Sequence, residues 1–205
     1  MRITALVGTR PQLIKLAALR PHLTAPIEPF VVDTAQHHDE LLAGQIYRDL
    51  GMAPPDLLLP GPGDLRDAAR LDAMVRALDA ALAQMRPDAV LVFGDTDSTL
   101  AGALAAHALG IAIVHVEAGV RSGDETMPEE RNRIAVDKIA SLRLCTSDAA
   151  VEALRSEGLT EGNVVVGDLM ADLVARLAPT ARGTAALDAA ALHIGRLLSS
   201  GGFAY

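Results

Sequence analysis

The feature that most constrains this chain is an alternation: short apolar runs of Val, Ile and Leu recur between longer stretches rich in Ala and Leu. Such a rhythm marks βαβ units, because parallel neighbours need a crossover that returns the chain to the same end of the sheet. It predicts strands over residues 3–7, 30–33, 57–59, 89–93, 111–116, 142–145 and 164–166, the third a short edge strand. It predicts helices over 12–23, 38–50, 65–85, 98–109, 129–140, 148–156 and 168–177. Thr9 stands where a cap would for the first helix, with Pro11 in its first turn, and Gly51 stops the second. Right-handed crossovers then give an α/β, Rossmann-like, doubly wound parallel sheet with helices on both faces.

A chain of 205 residues can bury one such core and the beginning of a second. The texture changes after Pro179, where an Ala/Leu helix over 187–198 runs into Ser199, Ser200, Gly201 and Gly202. The expectation is a domain over 1–178, then an interdomain helix, linker and start of a second domain over 179–205. The net charge of −8 argues against nucleic acid or an anionic membrane as partner. Residues 1–7 are too short for a signal peptide, and Gly102, His107 and Gly110 interrupt the apolar stretch 100–116. A cytoplasmic protein is expected. The single cysteine, Cys145, lies in a predicted strand and reads as a buried thiol, with no disulfide framework or zinc site to build from it.

A doubly wound sheet binds ligands beyond the carboxyl ends of its strands, so the polar residues that follow strands matter most. After the first come Gly8, Thr9 and Arg10, with Lys15 a turn further on. After the second come Asp33, Thr34, Gln36 and His37; after the fourth, Gly94, Asp95, Thr96, Asp97 and Ser98. After the fifth come Glu117, Ala118, Gly119 and Arg121, then a loop to Pro128, Glu129, Glu130, Asn132 and Arg133. Both signs of charge thus gather at one edge, as a site needs if it holds an anion and also moves protons. The turn at Gly8 reads as a tight connection or as an anion site at a helix N-terminus, where Arg10 adds a fork of donors. It matches neither a Walker loop nor a dinucleotide fingerprint. Asp95 alone is equally read as a cap for the following helix. Glu117 is harder to dismiss, since a carboxylate closing a buried run needs a partner or a task. Glu129 alone fits an ordinary first-turn glutamate. His37 and His38 lack the further ligands a metal site requires, so no metal is expected. His115, alternating with core residues, reads as a hydrogen-bonded structural histidine.

Taken together and in order, these five motifs strongly resemble UDP-N-acetylglucosamine 2-epimerases over about residues 1–178. The resemblance implies one half of a glycosyltransferase-B-like fold, with the active site between two Rossmann-like domains. It implies interconversion of UDP-GlcNAc and UDP-ManNAc with no cofactor, by loss of UDP from C1 and a proton from C2. The 2-acetamidoglucal so formed is reprotonated on its other face as UDP adds back. By the same resemblance Asp95, Glu117 and Glu129 match catalytic carboxylates, and Arg10, Lys15 and Arg121 match substrate contacts. Gln36 and His37 match the segment where some members bind a second, activating UDP-GlcNAc. Family members continue into a second domain with a histidine-arginine motif and most of the nucleotide pocket, and the complete form is expected to be a homodimer. Gln12 departs from the family's usual Glu, and Val166, Gly167 and Asp168 from its Thr-Gly-Asn. A hydrolysing variant that releases ManNAc, an epimerase for a diacetamido sugar, and a truncated non-catalytic domain remain alternatives.

Overall fold

The computed structural model describes residues 1–36 and 40–181. His37, the predicted helix start at 38, and the predicted helix over 187–198 with the rest of 182–205 lie outside them. The chain divides into two compact units, Met1–Leu169 and one that begins at Met170, of which a single helix is described.

In the first unit seven strands form one parallel sheet. They are β1 (Arg2–Val7), β2 (Glu28–Asp33), β3 (Leu57–Leu58), β4 (Ala89–Phe93), β5 (Ala112–Ala118), β6 (Leu142–Cys145) and β7 (Asn163–Val165). Their order, β3-β2-β1-β4-β5-β6-β7, reverses direction between β1 and β4. Adjacent loops part at such a switch point and leave a crevice. The helices are α1 (Arg10–Leu19), α2 (Glu40–Asp49), α3 (Asp67–Met85), α4 (Asp97–Ala108), α5 (Pro128–Ile139) and α6 (Asp148–Ser156), with α7 (Leu169–Ala181) leading into the second unit.

Two apolar layers cover the sheet, and strand alternation sorts residues between them. Leu6, Val32, Val90, Val92 and Ile113 pack with Met74, Leu78 and Leu82 of α3 and with the alanines of α4. Ala5, Val7, Val31, Leu91, Phe93 and Val116 pack with Leu13 and Leu16 of α1 and with Tyr47 of α2. The Ala-rich composition serves α4, which lies so close to the sheet that a Cβ on Gly102 would collide with Leu6. Cys145 is a free, buried thiol in a third cluster with Ala118 and Leu154.

The predicted strands, and the predicted helices that fall on the described residues, all appear; β4, β6 and α6 have the predicted bounds and the other elements have shifted ends. The first helix stops at Leu19 and continues only as a 3-10 turn, Arg20–His22. Pro21 has no N–H to give a further α-helical turn. The fifth strand runs two residues past its predicted end and takes in Glu117. Val116 pairs with Leu144 but Ala118 with Cys145, so Glu117 is the extra residue of a bulge. A bulge shifts the apolar alternation by one residue, which is why the pattern ended early.

Candidate active site

Three turns meet at the switch point. At the end of β1, a Cβ on Gly8 would collide with the hydroxyls of Thr34 and Ser98, so only glycine lets the turns approach this closely. Thr34 and Ser98 are themselves bonded at 2.7 Å. The side chain of Gln12 then ties the β1 and β4 turns together. Its Oε1 accepts from the N–H groups of Gly8 at 2.9 Å and Thr9 at 3.2 Å. Its Nε2 lies 3.0 Å from Phe93 O, 3.0 Å from Thr96 Oγ1 and 2.9 Å from Thr99 Oγ1. Thr9 is the N-cap residue of α1, as expected, and Gln12 at the third helical position reaches back to its N–H. Gln12 thereby takes up the N–H groups of Gly8 and Thr9, so these two amides are not free for an anion. What remains for an anion is Arg10, exposed and paired with no described residue. Gln12→Ala is expected to destabilise the unit by roughly 3 kcal/mol, because several buried groups lose partners at once. Urea denaturation of the two proteins measures it.

The carboxylates are placed by cations. Glu117 forms an ion pair with Lys15, both largely shielded. Its backbone is left-handed, with φ 67°. Asp95 does not cap α4; Thr96 does, and Asp95 pairs instead with the buried Arg133 at 2.6 Å. Asn132 supports the same turn, donating to Asp95 O at 3.0 Å and to Asp97 at 3.2 Å, while Asp97 also pairs with Arg70. Glu129 stands exposed in the first turn of α5. Lys15 and Arg10 thus reach the edge from α1, Asp95 from the β4 turn, Glu117 from the β5 bulge and Glu129 from α5.

Two predicted ligand contacts are otherwise engaged. Arg121 is held in a fork by Glu157, at 2.7 and 2.9 Å, and also bonds Asp137 at 2.8 Å, so its guanidinium braces the fold. Those carboxylates raise its pKa, although burial works the other way. Gln36 offers its Oε1 to the Ser98 N–H at 2.9 Å and hydroxyl at 2.6 Å, which closes the β2 turn onto α4.

Three buried acids, Asp33, Glu130 and Asp137, support the site, and only Asp137 is absent from the strand-end residues read in the sequence. Glu130, beside the exposed Glu129, accepts from the N–H groups of Ser122 and Gly123 and pins the loop before α5. Asp33 is bonded by the Tyr47 hydroxyl at 3.0 Å and the Ala35 N–H at 2.9 Å. His115 is structural as expected, with Nδ1 at 2.7 Å from Asp137 and Nε2 at 2.8 Å from Gly94 O. Burial pushes the Asp137 and Glu130 pKa values up, but hydrogen bonds and neighbouring cations outweigh it and hold both below the usual range. For Asp33 burial wins and its pKa rises. Depressed carboxylates stabilise the fold when ionised. Their contribution is complete above the unfolded value of about 4 and is lost as pH falls through the folded values. Asp33 works in the opposite sense, losing stability as pH rises through its own raised value. With Asp124, bonded by Thr126, there are three depressed acids against one raised, so unfolding free energies from urea melts are expected to fall from pH 5 towards pH 3, and less steeply in Asp137→Asn.

A sequence model described as UDP-N-acetylglucosamine 2-epimerase matches residues 22–194. The chain belongs to that family. It is 38% identical over 172 residues to a UDP-N-acetylglucosamine 2-epimerase homolog of Methanococcus maripaludis, covering 84% of this chain and 48% of the relative. It is 36% identical to the UDP-2,3-diacetamido-2,3-dideoxy-D-glucuronate 2-epimerase of Pseudomonas aeruginosa, over 84% of this chain and 50% of the relative. Among solved structures, the Methanocaldococcus jannaschii UDP-GlcNAc 2-epimerase in complex with UDP-GlcNAc and UDP superposes with a TM-score of 0.86 at 33% identity. That match covers 92% of this chain and 52% of the other. The chain therefore spans about half the length of the epimerases it matches. Among the described residues no helix is long and apolar enough to cross a membrane, and no cluster of His, Cys, Asp and Glu has the makings of a metal site.

Proposed function

We propose that this chain supplies one wall of the active-site cleft of a UDP-N-acetylglucosamine 2-epimerase, a second Rossmann-like half supplying the other. The observation that carries the reading is the pairing of Lys15 with Glu117 and Arg133 with Asp95 at the strand ends of a chain in this family. Epimerisation at C2 needs one group to take a proton from a weakly acidic carbon and another to return it on the opposite face. The electron pair of the broken C2–H bond forms the C1–C2 double bond of the glucal, and the C1–O bond breaks to release UDP. Asp95, Glu117 and Glu129 are the groups for the proton. Arg10 and Lys15 are the cations for the negative charge that grows on the departing diphosphate.

The sugar has two candidates, because the relatives include both a UDP-GlcNAc and a diacetamido-uronate 2-epimerase at nearly equal identity. A fusion of this chain to the C-terminal half of the M. jannaschii epimerase tests both points. Incubated with each UDP-sugar in D₂O, it is expected to place deuterium at C2 of one of them. No exchange at C2 of either sugar, in a folded fusion that binds UDP, overturns the reading. A cytoplasmic homodimer of the completed enzyme belongs to the same reading, and sedimentation of the fusion checks the assembly.

A further inference from the structure

Glu117 occupies a backbone conformation that non-glycine residues seldom adopt, and such a residue persists only where its surroundings fix it. The residues on either side of this one are held by a single carboxylate. Asp137, on the inner face of α5, has no exposed surface. One of its oxygens bonds His115 Nδ1 at 2.7 Å; the other accepts from the Gly119 N–H at 3.1 Å and the Arg121 guanidinium at 2.8 Å. His115 and Gly119 lie two residues before and two after Glu117, so the carboxylate spans the bulge from both sides. The far nitrogen of His115 donates to Gly94 O at 2.8 Å, and Gly94 N–H donates to Val116 O at 3.0 Å. The bulge is thereby tied to the turn that carries Asp95.

We propose that Asp137 is a positioning residue, whose buried carboxylate clamps the β5 bulge and so sets the Glu117 carboxylate against Lys15 at the reacting edge. A buried charge is costly, and well-packed apolar side chains often serve stability as well or better. Here the oxygens of the charge are directed at groups that flank one residue of the site. The proposal rests on the reading of Glu117 as a proton-transfer group, but its test does not.

The test compares the 205-residue chain with Asp137→Ala and Asp137→Asn, labelled with ¹⁵N and with ¹³C at the glutamate carboxyls, Glu117→Gln serving to assign the Glu117 signal. In Asp137→Ala the Gly119 amide is expected to exchange at least ~10-fold faster while β4 amides keep their protection. The Glu117 carboxyl signal moves to that of an exposed glutamate, and a crystal structure shows its φ negative and its pair with Lys15 broken. Asparagine is isosteric: its oxygen can accept from Gly119 and Arg121, and its amide N–H can donate to His115 Nδ1. Asp137→Asn is therefore expected to restore both signals. An Asp137→Ala chain with the wild-type Glu117 signal and ion pair overturns the proposal, and so does an asparagine variant that folds without restoring them. Should Asp137→Ala not fold, a wild-type Gly119 amide that exchanges as fast as open-loop amides overturns it equally. Unchanged turnover of Glu117→Gln in the fused enzyme would remove the functional reading and leave the clamp standing.

Discussion

Replacing Asp95, Glu117 or Glu129 by its amide in the fused enzyme is expected to lower turnover ~10²-fold or more, the scale of lost acid–base catalysis. The three are not equivalent as experiments. Asp95→Asn and Glu117→Gln each also remove the negative partner of a shielded cation, Arg133 or Lys15, so some lost stability accompanies the lost chemistry. Glu129 is exposed, and its amide leaves the fold as it was. Melting curves run beside the kinetics separate the two effects. The D₂O exchange assay then reads the proton step directly, through deuterium at C2. Near-normal incorporation in all three variants would mean that the proton is moved by other groups.

The 205-residue chain by itself is expected to fold and bind UDP weakly, yet not to epimerise a UDP-sugar. Its first unit has a seven-stranded parallel sheet with apolar layers on both faces, which is enough to stand alone. Binding rests on Arg10 and Lys15, and with the amides of Gly8 and Thr9 already taken by Gln12 a dissociation constant on the order of millimolar is expected. Turnover is another matter. A glucal intermediate must be shielded from water and its UDP held close until it adds back, and one wall of a cleft does neither. Calorimetry with UDP and a coupled assay on the purified chain measure both halves of this expectation. Turnover comparable to that of the fusion would show that one wall suffices.

The strands and the parallel, doubly wound class were legible because a buried parallel sheet writes itself as separated apolar runs; β4 and β6 fall on the predicted residues. Charge at the strand ends was legible for the same reason, since residues that follow strands share one edge. What stayed hidden was the direction of each charge. Arg121 and Arg133 look alike in sequence, yet one is braced by Glu157 and Asp137 and the other meets Asp95. Gln12 looked like a minor departure because nothing in a linear pattern shows that an amide of α1 reaches Phe93, Thr96 and Thr99. Asp137 was passed over because helix periodicity says only that it faces inward; its partners lie 18 and 22 residues away, on β5 and just beyond it.

The order of the strands also dictates how the chain can assemble. β1 is made first, yet it lies inside the sheet, with β2 on one side and β4 on the other. Its N-terminal end is bonded to Asp88, 86 residues further along. Until that residue has been synthesised, one long edge of β1 is open and α3 has only β1, β2 and β3 to cover. Closing so long a loop costs chain entropy before the contacts it brings repay it. The crevice that gathers Arg10, Asp95 and Glu117 is the seam where those late contacts form. A nascent chain therefore cannot complete the site until its fourth strand has docked, and the stretch of time before that is when it is most open to mispairing with its neighbours.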